Sequence, residues 1–221
     1  MSSPLSESLR RETKALHARA ERSGIMSTLL RGELQRSDYC ALLRNLHALY
    51  EALEAGLDSQ REHEAIRPIY SPPLHRAAAL SADLSTLHGD RWHSDLPVLA
   101  ATREYVDRLQ QVARTDVHLL AAHAYVRFLG DLSGGRILQR IIATSVINDA
   151  THGNRFYAYD GEDTSDLASR FRLGLDAIPL NEGSAADVVD EAKLGFSLHE
   201  RLFNQLADTS LLRQSLPNKR I

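Results

Sequence analysis

Apolar residues recur along this chain at helical spacing rather than in the alternation of a half-buried strand. Leu5, Leu9, Leu16 and Ala20 form one stripe among good helix formers, which predicts a first helix from Pro4 to Arg22. After a break at Gly24 and a short turn, Ser37 stands as the cap of a second helix over 38–57. Its buried stripe is Leu42, Leu46, Leu49, Tyr50 and Leu53, with Gly56 near its end. RPIYSPPLH separates that helix from one over 74–87, because proline removes backbone donors and biases its predecessor away from helical geometry. HGDRWHSDLP reads as a loop, followed by a helix over 98–113 and then the longest one, capped by Thr115 and reaching Ile147. The polar NDATHGNRFYAYDGED is a further loop, and two last helices span 164–178 and 185–207 on either side of PLNEGS.

No segment alternates convincingly, and no internal repeat is visible. The expectation is an all-α bundle forming a single domain over 1–221, its short connections packing the helices as near neighbours. With 221 residues, 43% of them hydrophobic and 25% charged, the chain can bury one sizeable core and is not of disordered composition. A net charge of -3 and a pI near 6.4 give no ground for a nucleic-acid or anionic-membrane partner. Cys40 is the only cysteine, which excludes an intrachain disulfide, a thiolate cluster and a C-x-x-C-H haem attachment site, and suits a reducing cytoplasm. The start lacks the apolar core of a signal peptide, and no stretch reaches the roughly 18 apolar residues that cross a bilayer. A cytoplasmic protein without a membrane anchor is expected.

RFLGDLSGGRIL, residues 127–138, interrupts the longest predicted helix with three glycines, an aspartate and a serine. Each glycine in a helix interior costs about 1 kcal/mol relative to alanine, so something must offset roughly 2–3 kcal/mol. One reading is close packing, since Gly130 and Gly134 lie four apart on one face, where another helix could approach. The other is a flat ligand against bare backbone. Asp131 and Ser133 weigh toward the second, because neither suits a packed apolar face. Asp131 falls one turn after Arg127; the two form either an ordinary surface ion pair or, with the glycines, a carboxylate holding ordered water beside a ligand.

A second stripe lies on the first helix. Arg10, Lys14, His17 and Glu21 fall within about 60° of one another at the 100° helical step. A histidine there reads either as structural or as a metal ligand whose ring Glu21 orients by accepting the other N–H. Arg10 and Lys14 form either a solvated cationic face or a pair of partners for the carboxylates of a haem edge.

Together the two stretches resemble the haem oxygenase family. AHAYVRFLGDLSGGRIL is similar to its distal-helix signature and LRRETKALHARAE to its proximal histidine segment. LYEALEAGL, PIYSPPLHRAAALSADL and DEAKLGFSLHERLF agree in order, so that the resemblance runs from Leu5 to Leu206. It implies an all-α enzyme that holds haem, at once cofactor and substrate, between a proximal and a distal helix. It also implies cleavage by O2 at a meso carbon, α by expectation, to biliverdin, carbon monoxide and ferrous iron. Electrons would come from a ferredoxin or a flavin reductase, and the protein would be a monomer.

Residue by residue, the resemblance makes His17 the axial iron ligand and Glu21 its orienting partner. Gly130 and Gly134 become the bare distal backbone, and Asp131 holds the water network that delivers a proton, supported by Tyr50 and Arg127. Arg10, Lys14, Tyr125 and Arg172 fall near the propionates and set the in-plane rotation of the ring, while Phe196 and Phe203 fit ring-packing or core positions. The chain departs from the family pattern at Phe128, where many members have tyrosine, and at Ala168, where some have a basic propionate partner. Cys40 matches no catalytic position, and Trp92 is expected to pack on the core. The alternative is a haem carrier or sensor that binds at His17 without degrading its ligand; an open distal window beside Asp131 argues against it.

Overall fold

The computed structural model describes residues 3–149, 152–159 and 161–215, with side chains as far as residue 211. Helix α1 (Leu5–Glu21) buries Leu5, Leu9, Thr13 and Ala20. It lies along α10 (Glu182–Ser215), which is the longest helix and begins three residues before the expected start. α3 (Arg36–Ser59) is buried on more than one face, because it packs against both α4 (Ala77–His88) and α6 (Ala100–Thr115). α9 (Thr164–Asp176) starts where Asp163 accepts hydrogen bonds from the N–H groups of Ser165 and Asp166, an N-cap formed by the side chain. Among the described residues there is no strand, the buried apolar residues form one contiguous cluster, and no helix is long and apolar enough to cross a membrane.

Several local expectations are corrected. Ser37 lies inside α3, whose N-cap is Gln35 without a side-chain cap bond. Gly24 opens a short helix, α2 (Gly24–Leu30), instead of leading into a turn. Its φ of +43° and a Cβ position that would collide with the backbone carbonyl of Phe203 leave room for glycine alone. The helix expected from residue 74 begins at Ala77, because Pro72–Leu74 forms a 3-10 turn and the Glu54 carboxylate caps α4 by accepting from the N–H groups of Arg76 and Ala77. HGDRWHSDLP contains a one-turn helix, α5 (Trp92–Asp95), which buries Trp92 against His47 with the Arg44 guanidinium 5.3 Å from the indole centroid. Thr115 ends α6, donating to the Gln111 carbonyl, and the helical path breaks at Asp116.

The segment read as one regular helix is a continuous rod of changing pitch. It comprises α7 (Leu120–Ala124), a π-helical turn (Tyr125–Leu129), α8 (Gly130–Ile141) and a second π turn (Ile142–Val146). A π turn inserts an extra residue per turn and re-aims every side chain that follows. The first one ends at Gly130.

Buried polar groups tie α6, α7 and α10 together. Arg108 donates to both carboxylate oxygens of Glu191, His123 Nε2 lies 2.8 Å from Glu191 Oε1, and His123 Nδ1 lies 3.1 Å from the Tyr105 hydroxyl. Burial opposes ionisation of Glu191, but the hydrogen bonds from Arg108 and His123 and the charges beside them outweigh it and lower its pKa from 4.5 to about 2. A depressed carboxylate stabilises the fold above its unfolded value and loses that contribution as pH falls through the folded one. Glu191→Gln is therefore expected to cost on the order of 1–3 kcal/mol at pH 7. In urea titrations at a series of pH values the gap to the parent should shrink below about pH 4.5; a gap that does not change with pH contradicts the assignment.

Candidate active site

The π turn before Gly130 directs Arg127, Gly130, Asp131 and Gly134 toward one cleft. A Cβ built on Gly130 or Gly134 meets nothing within 4 Å, whereas one on Gly135 meets the Tyr157 ring at 3.4 Å. The packing reading therefore applies to Gly135 alone, and the other two leave bare backbone facing open space. The surface ion-pair reading of Arg127 and Asp131 is also corrected, since their side chains are only 12% and 9% exposed. Arg127 Nη2 lies 2.8 Å and 3.0 Å from the two carboxylate oxygens of Asp131, and the Tyr50 hydroxyl donates to Oδ2. Burial pushes the Asp131 carboxyl well up and the Arg127 guanidinium down, and the bonds between them oppose that burial by favouring the charged forms.

Tyr50 reaches this pair from α3. Its ring stacks on Phe128 at 6.2 Å and meets Phe156 edge-on at 5.6 Å, which fixes where its hydroxyl points. Phe128 thus has a core role.

The rest of the cleft lining comes chiefly from α1 and α10. His17 and Glu21 line it with Phe196, His199 and Phe203, while Met26 and Leu30 of α2 and Ile137 and Leu138 of α8 close the sides. The two histidines differ in what they have to offer. His199 Nδ1 is bonded to the Gly195 carbonyl at 3.1 Å and its Nε2 to Arg127 Nη1 at 3.0 Å; burial and the Arg127 charge hold its pKa well below the ordinary value. His17 is 44% exposed, meets Phe196 edge-on at 5.7 Å, and has Glu21 3.7 Å from Nε2, beyond hydrogen-bond reach. It is the imidazole with a nitrogen free to bind.

The residues read as propionate partners lie outside the cleft lining. Arg10, Lys14 and Arg172 are exposed and are not among the residues lining the cleft. Tyr125 is buried with its hydroxyl 3.1 Å from Thr13 Oγ1. Burial raises its pKa, against the Thr13 bond and the nearby charges of Arg172 and Arg10. Phe196 and Phe203 are buried and line the cleft at once, so ring-packing and core roles coincide in them. Ala168 and Cys40 are buried, the Cys40 thiol being pushed up by burial. Sequence reading missed His199. Its signal was the spacing Phe196, His199, Phe203, which places an imidazole on one apolar helix face.

The arrangement is a slot. Its lining combines a free imidazole with bare helix beside a buried carboxylate. A single imidazole suits a metal whose other positions are already filled, and a glycine wall suits a flat ligand, so the residues present fit a metalloporphyrin.

Comparison with known proteins agrees with this geometry. The family model described as Heme oxygenase matches residues 3–205. Heme oxygenase 1 of Synechocystis sp. is 36% identical over 207 residues, covering 93% of this chain and 86% of that protein. The heme oxygenase of Pyropia yezoensis is 36% identical over 212 residues, covering 96% and 89%. Among solved structures, the Synechocystis heme oxygenase-1 in complex with heme superposes with a TM-score of 0.90 at 34% identity, covering 96% of each chain. By its matched residues and by the likeness of these relatives across nearly its whole length, the chain belongs to the haem oxygenase family.

Proposed function

We propose that this protein is a haem-degrading enzyme that binds haem in the slot between α1 and the glycine-bearing helix and opens the ring to biliverdin, carbon monoxide and ferrous iron. The observation that carries this reading is one cleft lined at once by His17, by the bare backbone of Gly130 and Gly134, and by Asp131. Haem supplies the redox chemistry, its iron activating O2 with electrons from a ferredoxin or a flavin reductase while its own macrocycle is the carbon oxidised.

The chain supplies binding, orientation and proton handling. His17 would hold the haem iron, and Glu21, one turn on and 3.7 Å from Nε2 in the haem-free chain, would orient the ring on closing that gap. Gly130 and Gly134 let the helix run close above a flat ring while keeping space there. Asp131 Oδ2 is occupied by Tyr50 and Arg127, whereas Oδ1 carries only the Arg127 bond and keeps lone-pair capacity for a water in the cleft. That water can hand on a proton, with Tyr50 and Arg127 holding the carboxylate in place. Phe196 packs against the ring beside His17. Arg10, Lys14, Arg172 and Tyr125 set the ring's rotation from the propionate edge, favouring the α-meso carbon. The domain over 1–221 works as a monomer in the reducing cytoplasm.

Purified protein is expected to bind one haem and, with a ferredoxin reducing system and oxygen, to yield biliverdin identified by chromatography. A stable haem complex that forms no bilin under those conditions would mark a carrier instead. His17→Ala should shift the absorption spectrum of the haem complex; an unchanged spectrum removes His17 from the ligand role. Asp131→Ala should lower bilin yield by roughly 100-fold with haem affinity retained, and unaltered turnover would sink the proton role. Gly130→Ala should raise the stability of the haem-free protein by up to about 1 kcal/mol while lowering turnover. Thermal melts and bilin assays on one preparation check the opposite signs.

A further inference from the structure

We propose that His199 is a positioning residue for Arg127 and Asp131: held neutral with its proton on Nδ1, it presents the Nε2 lone pair to the guanidinium and so fixes that group on the carboxylate. The inference deepens the functional reading above and rests on it for the role of Asp131.

The tautomer follows from the partners. Nδ1 lies 3.1 Å from the Gly195 carbonyl, which can only accept, so Nδ1 must carry a proton. Nε2 lies 3.0 Å from Arg127 Nη1, which can only donate, so Nε2 must be bare. The opposite tautomer would set two donors face to face and leave a lone pair against the carbonyl. Burial, the Arg127 charge and the His123 imidazole favour the neutral ring and outweigh the Gly195 carbonyl, which alone favours protonation. Arg127 faces it from the π turn, His123 adds an imidazole from α7, the Tyr105 ring meets it edge-on at 5.0 Å from α6, and Phe203 lies 5.6 Å away on its own helix.

The guanidinium explains why this acceptor matters. Arg127 spends Nη2 on Asp131 and Nη1 on His199, its Nε is buried without a partner, and the Tyr50 ring lies 5.2 Å from its carbon. His199 is thus the second anchor that stops the fork from rotating about the Asp131 bonds. Without it, Nη1 is left in the cleft and free to turn toward water or ligand. Asp131 would then lose the donor that shares both its oxygens.

Long-range 15N–1H NMR on histidine-labelled, haem-free protein should show His199 with a protonated Nδ1 and a bare Nε2 from pH 8 down to about pH 5.5. An Nε2–H tautomer or an imidazolium at neutral pH overturns the proposal. His199→Leu deletes the acceptor, and His199→Gln puts a carbonyl oxygen near the place of Nε2. The leucine variant should lower bilin yield about tenfold, with haem affinity and axial-ligand spectrum unchanged, and the glutamine variant should restore most of the yield. Crystals of the haem-free leucine variant should show Arg127 displaced from Asp131. Equal loss in both variants, no loss in either, or an undisplaced Arg127 overturns the proposal, as does an altered axial-ligand spectrum. Should the leucine variant fail to fold, the tautomer and the yield of the glutamine variant decide. Unaltered turnover in Asp131→Ala would refute the role of the carboxylate, while the tautomer and the Arg127 position still judge His199.

Discussion

A buried ion pair, Arg127 with Asp131, sets the terms for the rest of the molecule. Taking two charges out of water costs several kcal/mol each, and mutual attraction offsets that only when the remaining donors and lone pairs are also met. Tyr50 meets Oδ2 and His199 meets Nη1, so α3 and α10 must both approach the distal helix at one level. The aromatic packing of Tyr50 against Phe128 and Phe156 then has a geometric duty beyond filling space.

The same pair accounts for the irregular helix. Arg127 belongs to the π turn and Asp131 to the α-helix that follows, yet both must face the cleft. A change of pitch between them re-aims the helix face, and glycines at 130 and 134 keep that face bare. The local cost in helix propensity is borne by a rod that packs against α3 and α10 through α7 and the π turn, and against α9 and the turn at Arg155–Tyr157 through α8. Across the slot, α1 rests on α10 and so presents His17 from a wall that α10 itself completes with Phe196, His199 and Phe203.

Much of this was legible in the chain. The buried faces of α1 and α3 follow directly from apolar spacing, as does the proline-rich separation of α3 from α4. What failed were the ends. Ser37 and Thr115 have the right chemistry for caps, but α3 starts before the first and α6 runs to the second, because tertiary packing extends helices past positions where local preference would stop them. α2 was invisible for a related reason. A seven-residue helix has too few turns to show a period, and its first residue is a glycine whose need comes from the backbone of Phe203, far along the chain.

The sequence by itself determined the all-helical class, the family, and the two segments around His17 and around the glycines that carry the cleft, because helical periodicity and glycine content are local properties that survive without any partner. Only the tertiary structure decided which glycines are windows and which is a packing contact, that Arg127 and Asp131 are buried rather than solvated, and that His17 has a free nitrogen while His199 has none. Those distinctions depend on what lies opposite each residue. Distant segments supply it: Tyr157 against Gly135, Tyr50 against Asp131, and Arg127 against His199.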